Sequence, residues 1–250
     1  MMNGLLLPML PLGAVSFAFN QSTLPGKMIV LILFVSSIGA WTVMITKFIL
    51  LSRARTGTDR FLHTFRREAL PTGLFVKRQR LPETPLNALY EAGCKALGNE
   101  LSFIGINPEE LFMGALGETE DRQLDAHQIE SIRAVVDRTL ADEALKLEDR
   151  MGILATAVSA CPFLGLLGTV WGVMDAFGGM AVSGAATLSA VAPGISGALL
   201  TTVVGLLVAL PSSIGYNMLT VRIRRMAVQM DNFSQEFTAS VQQHFSTLSE

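Results

Sequence analysis

One nearly uncharged stretch constrains the fold of this chain more than any other feature. Residues 151–221 contain a single charged residue, Asp175, between the flanking Arg150 and Arg222. A helix that crosses a bilayer takes about 20 apolar residues, so this stretch is long enough for more than one crossing. Charged residues make up 16% of the chain, whereas soluble domains carry about a quarter. The sequence therefore predicts an all-α integral membrane protein.

Three segments have the length and composition of transmembrane helices. The first is residues 28–51, where the charged Lys47 lies close enough to the end for its stem to reach the lipid headgroups. The second is residues 151–174 and the third is residues 195–216, both without charge. Residues 175–194 are rich in Gly, Ala and Ser, and we expect them to form a short periplasmic turn with partial helix.

The N-terminal residues 1–27 do not have the pattern of a secretory signal peptide. Their apolar run has no Lys or Arg ahead of it, and Pro8 and Pro11 interrupt it. We expect this segment to be retained on the periplasmic side. The sequence leaves open whether it inserts into the bilayer or lies along it.

The basic residues predict the orientation. Apart from Lys27 and Lys47, every Lys and Arg lies in residues 52–150 or 217–250. Because basic loops stay in the cytoplasm, we expect a periplasmic N-terminus and a cytoplasmic C-terminus. Residues 52–150 are then a cytoplasmic helical loop and residues 217–250 a cytoplasmic amphipathic helix.

Two stripes of apolar residues predict long helical extensions beyond the membrane. Both stripes step by three or four residues, which is the spacing of one helix face. We expect the first to run without a break into the second span and the second to continue the third span. They could be covered within one subunit or between neighbouring copies, and the pattern leaves both open. The first contains Ile129, Ile132, Val136, Leu140, Ala144, Leu147, Met151 and Leu154, and the second Ile223, Met226, Met230, Phe233, Phe237, Val241 and Phe245.

Small residues predict where the second and third spans pack. Such residues let helix backbones approach closely, and Gly168 and Gly172 form a GxxxG pair. An alternative is that these faces line a pore in which Thr169 and Thr202 are the polar points. The predicted packing residues are Pro162, Gly165, Gly168, Gly172, Pro193, Gly197 and Gly205.

The rarity of ionisable groups in the spans predicts a partner. A proton relay usually needs such a group at membrane depth, and this chain offers Lys47 and Asp175, both near span ends. If protons cross here, the carboxylate must come from another polypeptide.

Other functions find little support in the sequence. The three histidines are scattered and no catalytic or metal-binding motif occurs, so we expect neither a catalytic nor a metal site. Cys94 and Cys161 are expected to be packing residues. The net charge of −2 gives no electrostatic case for nucleic acid.

Two blocks of sequence resemble a known family. The blocks PFLGLLGTVWGVMDAF (162–177) and ATLSAVAPGISGALLTTVVGLLVALPSSIGYN (186–217) are similar to the MotA/TolQ/ExbB proton channel family. The tail DNFSQEF (231–237) and GAW in the first span are closer to the TolQ branch than to the ExbB branch.

The resemblance implies an inner-membrane motor subunit. Family members form a homo-pentamer around the single membrane helices of two TolR/ExbD-like partners, each helix carrying an aspartate that is protonated in turn. Protons are the coupling ion, and no other cofactor is implied. The motor energises a TolA/TonB-like protein that supports outer-membrane integrity and cell division. The pore-facing threonines of the family correspond to Thr169 and Thr202.

This chain departs from the family at one position. Members usually carry a glutamate in a block of the form IAEAL, and here Gly197 stands in its place. Either the partner's aspartate suffices, or Asp175 takes part in the proton pathway, or the channel conducts weakly. Asp175 could also be a solvated residue at a helix end. The alternatives to a TolQ-like motor are an ExbB-like subunit for outer-membrane uptake and a non-conducting membrane scaffold.

Overall fold

The described part of the chain is helical throughout its regular structure. A computed structural model describes residues 11–68, 70–77, 83–103, 124–183 and 187–245. The helices are α1 (Pro11–Gln21), α2 (Leu24–Phe65), α3 (Gly73–Val76), α4 (Pro85–Phe103), α5 (Ala126–Glu148), α6 (Met151–Ser183) and α7 (Leu188–Phe245). Three of them, α2, α6 and α7, are long and apolar enough to cross a membrane. For the residues that the structure describes, the prediction of an all-α chain with three such helices is confirmed.

The chain divides into two compact units. The first contains Met1–Thr46 and Arg150–Leu219, and the second contains Lys47–Asp149 and Thr220–Glu250. Within the first unit, α2 contacts both of the other long helices. A Cβ on Gly39 would lie 4.0 Å from the Ile153 side chain, and the Met44 side chain lies against Gly215.

The predicted uninterrupted helix from Ile129 into the second span is wrong. Helix α5 ends at Glu148, and Arg150 has a φ of 62° before α6 begins at Met151. This left-handed conformation is disfavoured for a residue with a Cβ, so it marks a real break in the helix. The periodicity misses the break because Leu147 and Met151, on either side, are both buried and keep the four-residue step.

The helices of the first unit extend beyond the predicted spans. Helix α6 continues through residues 175–183, and α7 begins at Leu188, so most of the described part of the predicted turn at 175–194 is helical. Residues 184–186 lie outside the described residues, as do residues 1–10 of the N-terminal segment. Helix α1 occupies the part of that segment from Pro11 to Gln21. The positions of the bilayer boundaries stay predictions.

The second unit has a core of aromatic rings. Phe61 and Phe65 on α2 meet Tyr90 on α4 and Phe233 and Phe237 on α7, with ring centroids 5.2–6.2 Å apart. Such edge-to-face rings add to the stability that burial alone provides. Every residue of the predicted tail stripe, from Ile223 to Phe245, is buried within the chain. The tail stripe is therefore covered within one subunit, whereas Leu140 and Ala144 of the first stripe are only half-buried.

Helix α5 completes the second unit. It packs against α4. Its N-terminus is capped by Asp125, whose carboxylate accepts from Ala126 N at 2.7 Å while Gln128 Oε1 accepts from Asp125 N at 3.0 Å. This reciprocal pairing satisfies donors that the first helical turn leaves unbonded.

Lys47, whose stem the sequence predicts to reach the lipid headgroups, has hydrogen-bond partners within the protein. Its side chain is buried, and Nζ donates to Lys146 O at 3.1 Å and to Leu147 O at 3.0 Å. Those carbonyls belong to the last turn of α5, where unpaired oxygens and the helix dipole favour a cation. Lys47 therefore caps α5.

Candidate functional site

Helices α6 and α7 approach each other closely where small residues face each other. A Cβ on Gly205 would lie 2.6 Å from Cys161 O, and one on Gly165 would lie 2.8 Å from Thr201 O. Both distances are shorter than real Cβ contacts, and the obstructing atoms are backbone. Glycine is therefore required at both positions for this separation of the helices.

The same interface continues toward the end of α6. Gly168 lies against the Thr201 side chain, and a Cβ on Gly172 would lie 2.7 Å from Ala198 Cβ. Residue numbers rise along α6 as they fall along α7, so the two helices are antiparallel. The predicted packing glycines at 165, 168, 172 and 205 all lie in this interface. Pro162 and Pro193 lie inside α6 and α7 and are half-buried.

Three threonine hydroxyls converge at the centre of the interface. Gly165 O is 3.0 Å from Thr169 Oγ1, 2.9 Å from Thr201 Oγ1 and 3.1 Å from Thr202 Oγ1. Thr169 Oγ1 and Thr202 Oγ1 also contact each other directly. The two threonines selected from the sequence are thus brought together across α6 and α7.

The hydroxyl cluster can hold its protons in more than one arrangement. Each hydroxyl donates one hydrogen and accepts others, and either Thr169 or Thr202 can be the donor in the contact between them. Thr201 can donate to Gly165 O or to Ala198 O, which is 2.7 Å away. The cluster can therefore offer either a donor or an acceptor to an approaching group without carrying a charge.

Thr201 is a member of this cluster that the sequence reasoning missed. Its side chain is fully buried, whereas Thr169 and Thr202 are half-buried. The signal was present, because Thr201 lies three residues after Ala198 and four before Gly205 and fits the helical spacing as well as Thr202 does. The two neighbouring threonines differ in burial, since Thr202 retains access to the surface of this chain and Thr201 does not.

Asp175 is not part of the cluster. It lies six residues after Thr169 on α6, which is about 9 Å along the helix axis. Its side chain is exposed, and no hydrogen bond or ion pair joins it to another residue in the ranges that the structure describes. This placement favours the interpretation of Asp175 as a solvated residue.

Gly197 faces a different neighbour. The space beside it is filled by Ser22, which directly follows the N-terminal helix α1. A Cβ on Gly197 would lie 2.8 Å from Ser22 Cα and 2.9 Å from Ser22 N. Ser22 Oγ donates to Gly197 O at 3.1 Å or to Ala18 O at 3.0 Å. Gly197 thus packs against the N-terminal segment rather than α6, and there is no space here for a glutamate side chain.

The two cysteines are buried and form no disulfide. Within the described ranges, no three His, Cys, Asp or Glu side chains are placed to hold a metal ion.

Comparison of the sequence with known proteins identifies the family of this chain. The model of the MotA/TolQ/ExbB proton channel family matches residues 106–232. The Tol-Pal system protein TolQ of Haemophilus influenzae is 33% identical over 226 residues, which is 88% of this chain and 90% of the relative. TolQ of Pseudomonas aeruginosa is 33% identical over 158 residues, or 63% of this chain and 61% of the relative.

An ExbB protein is also similar to this chain, over nearly the same length as TolQ of Haemophilus influenzae. The biopolymer transport protein ExbB of Neisseria meningitidis is 29% identical over 203 residues, which is 81% of this chain and 84% of the relative. The two sequence blocks that carry the resemblance, at 162–177 and 186–217, lie inside the range that the family model matches. The resemblance is therefore confirmed, and this chain belongs to the MotA/TolQ/ExbB proton channel family.

Proposed function

We propose that this chain is the multi-pass subunit of a TolQ-like motor in the bacterial inner membrane, driven by the proton-motive force. Five copies surround the single membrane helices of two TolR-like partners, with the N-terminus periplasmic and the C-terminus cytoplasmic. The motor energises a TolA-like protein for outer-membrane integrity and cell division. The chain itself performs no catalysis. Its similarity to TolQ of Haemophilus influenzae over 88% of its length supports this assignment.

The observation that carries the proposal is the half-buried hydroxyl pair of Thr169 and Thr202. These side chains meet across α6 and α7 and keep access to the surface of the chain. Two hydroxyls cost far less to place in a membrane than a charged side chain does. They can donate to a carboxylate or accept from a carboxylic acid, so they suit a partner group that changes its protonation state.

The acidic group itself must come from the partner. Residues 11–46 and 150–219 contain one acidic residue, Asp175, which lies outside the hydroxyl cluster. The position where the family usually has a glutamate is Gly197, and the Ser22 backbone fills the space beside it. In this proposal the partner's aspartate carries the proton, and Thr169 and Thr202 stabilise it as it passes.

Proton flux in reconstituted vesicles tests the proposal. The chain, co-purified with its TolR-like partner, carries Thr169→Val with Thr202→Val, and Thr156→Val serves as the control. Thr156 is an exposed threonine on the same helix α6, whose hydroxyl donates to Gly152 O at 2.8 Å. We expect at least a tenfold loss of flux in the double variant and none in the control, with the oligomer unchanged by native mass spectrometry. Unchanged flux in the double variant would remove the threonine pair from the proton pathway, and no flux in the wild type would favour a scaffold.

An ExbB-like role is the second candidate, since the Neisseria ExbB matches 81% of this chain. Expression of the chain in strains that lack either TolQ or ExbB distinguishes the two. We expect restored resistance to detergent in the first strain. Restored iron-complex uptake in the second strain alone would assign the chain to the ExbB branch.

A further inference from the structure

The second unit contains a basic cavity between α2 and α7. Its volume is about 520 Å³, and Arg55, Arg222 and Arg225 contribute to its lining. Ser52 and Gln229 add polar groups that can donate hydrogen bonds, and no acidic residue lines it. Nothing in the proton pathway proposed above uses this cavity.

The three arginines are not neutralised within the described part of the chain. Arg66, which directly follows α2, has both Nε and Nη2 2.8 Å from the carboxylate of Glu236. No such carboxylate bonds Arg55, Arg222 or Arg225 among the residues that the structure describes. Three guanidinium groups gathered in one cavity repel each other, so an anion bound among them would relieve that repulsion.

Arg222 is already held in position for such an anion. Its guanidinium carbon lies 4.2 Å from the centre of the Phe48 ring, and Nη1 donates to Ser52 Oγ at 3.3 Å. A guanidinium has five N–H donors in a planar fork, so these contacts leave donors for a ligand. Planar forks of this kind match the oxygen atoms of phosphate groups.

Apolar residues beside the cavity indicate the rest of the ligand. Phe48, Ile49 and Leu50 on α2 are 43–49% exposed, and Val221 on α7 is 50% exposed. These residues directly precede the cavity residues Leu51 and Arg222 in each helix. A free phosphate would satisfy the arginines and leave this apolar surface uncovered, whereas a lipid would cover both.

We propose that this cavity binds the phosphodiester headgroup of an anionic glycerophospholipid, with the acyl chains along Phe48, Ile49 and Val221. Basic cavities at the ends of membrane helices are suited to anionic headgroups, which concentrate at the cytoplasmic surface. Bound lipid neutralises the arginines and covers the adjacent apolar side chains.

Lipid titration of the full-length protein tests this site. The chain is purified in detergent, stripped of lipid, and titrated with phosphatidylglycerol while native mass spectrometry measures the bound fraction. The test variant is Arg222→Gln with Arg225→Gln. The matched control is Arg53→Gln with Arg224→Gln, which removes the same charge from exposed residues of the same two helices that do not line the cavity.

We expect phosphatidylglycerol to bind at least tenfold more weakly to the test variant and within twofold of wild type to the control. Phosphatidylcholine should bind weakly to all three proteins, and excess inorganic phosphate should not displace the lipid. Equal weakening in both variants would overturn the site in favour of overall charge. Displacement by inorganic phosphate would make it a free-anion site, and undiminished binding to the test variant would exclude it.

A second variant keeps the test decisive if the first fails to fold. Arg55 is exposed and bonds to no other described residue, so Arg55→Gln is expected to leave the far-UV circular dichroism unchanged. It should weaken phosphatidylglycerol binding at least threefold. Wild-type binding by this folded variant would count against the cavity.

Discussion

The backbone of Ser22 lies where a side chain at Gly197 would project. A Cβ at position 197 would be 2.8 Å from Ser22 Cα, and the Ser22 hydroxyl lies 3.1 Å from Gly197 O. The glycine and the N-terminal segment are therefore mutually dependent. In a chain that carried a glutamate at this position, the segment could not pack as it does here.

This dependence predicts that Gly197→Ala lowers stability. The added methyl group meets backbone atoms that cannot rotate away, and overpacking of this kind costs about 1–3 kcal/mol. Thermal unfolding in detergent, followed by circular dichroism, measures the loss, and Gly197→Glu should show a larger one. Gly178→Ala is the control, because no atom lies within 4 Å of its added Cβ. A wild-type midpoint for Gly197→Ala would mean that the segment moves aside without cost.

The close approach of α6 and α7 predicts a second sensitive glycine. Gly205→Ala would place a methyl group 2.6 Å from Cys161 O, so the helices must separate and the contacts among the threonines must lengthen. We expect a cost of about 1–3 kcal/mol in stability. Proton flux should fall as well, since the Thr169–Thr202 pair spans the same interface.

Gly152→Ala provides the comparison for this measurement. Gly152 is an exposed residue at the start of α6 with no atom within 4 Å of its added Cβ. Alanine is favoured over glycine in a helix by about 1 kcal/mol, so this variant should be as stable as wild type or slightly more. If Gly205→Ala behaved in the same way, the contact between α6 and α7 would be more adaptable than the structure indicates.

The sequence predicts the membrane helices well because their signal is long and local. Each span has an apolar run that needs no tertiary information to identify. The spacing of Thr169 and Thr202 likewise places them on the facing sides of two helices. The periodicity does not resolve Thr201 from Thr202, because both neighbours fit a helical spacing and tertiary burial alone separates them.

Other features depend on contacts between distant parts of the chain. The break at Arg150 leaves the three- and four-residue steps intact, so a periodicity cannot reveal it. The contact between Ser22 and Gly197 joins residues 175 positions apart. Lys47 similarly meets Lys146 O across 99 positions. A long basic side chain near the end of a span suggests extension toward the lipid headgroups. In the tertiary structure, Lys47 Nζ donates to carbonyl oxygens at the end of α5.

The capping contact predicts that Lys47→Met destabilises the second unit. The methionine fills a similar volume but leaves Lys146 O and Leu147 O without the donor they have in the wild type. Loss of a hydrogen bond to a charged group costs about 1.5–3 kcal/mol. Hydrogen exchange at the end of α5, measured by mass spectrometry, should rise together with a lower unfolding midpoint.

Lys95→Met is the control for the loss of a lysine. Lys95 is exposed and pairs with Glu91 at 4.0 Å within α4, a surface contact worth about 0.5 kcal/mol or less. In the Lys95→Met variant, hydrogen exchange at the end of α5 and the unfolding midpoint should both match the wild type. Equal effects of the two substitutions would show that charge, rather than capping of α5, is responsible.

The thiol of Cys94 predicts a dependence of reactivity on pH. Burial in the second unit raises the pKa of Cys94 to about 12, from an ordinary value near 9.0. The thiolate is the reactive form, so the folded protein should resist alkylation up to about pH 10, whereas the unfolded chain reacts above about pH 8. Because the unfolded thiol ionises first, folding loses stability as pH rises from about 9 toward 12.

Iodoacetamide labelling of a Cys161→Ala variant, with and without denaturant, measures the difference in Cys94 reactivity between the folded and the unfolded chain. Rapid labelling of the folded protein at pH 8 would show that Cys94 is accessible and ionised, contrary to its buried position against Tyr90.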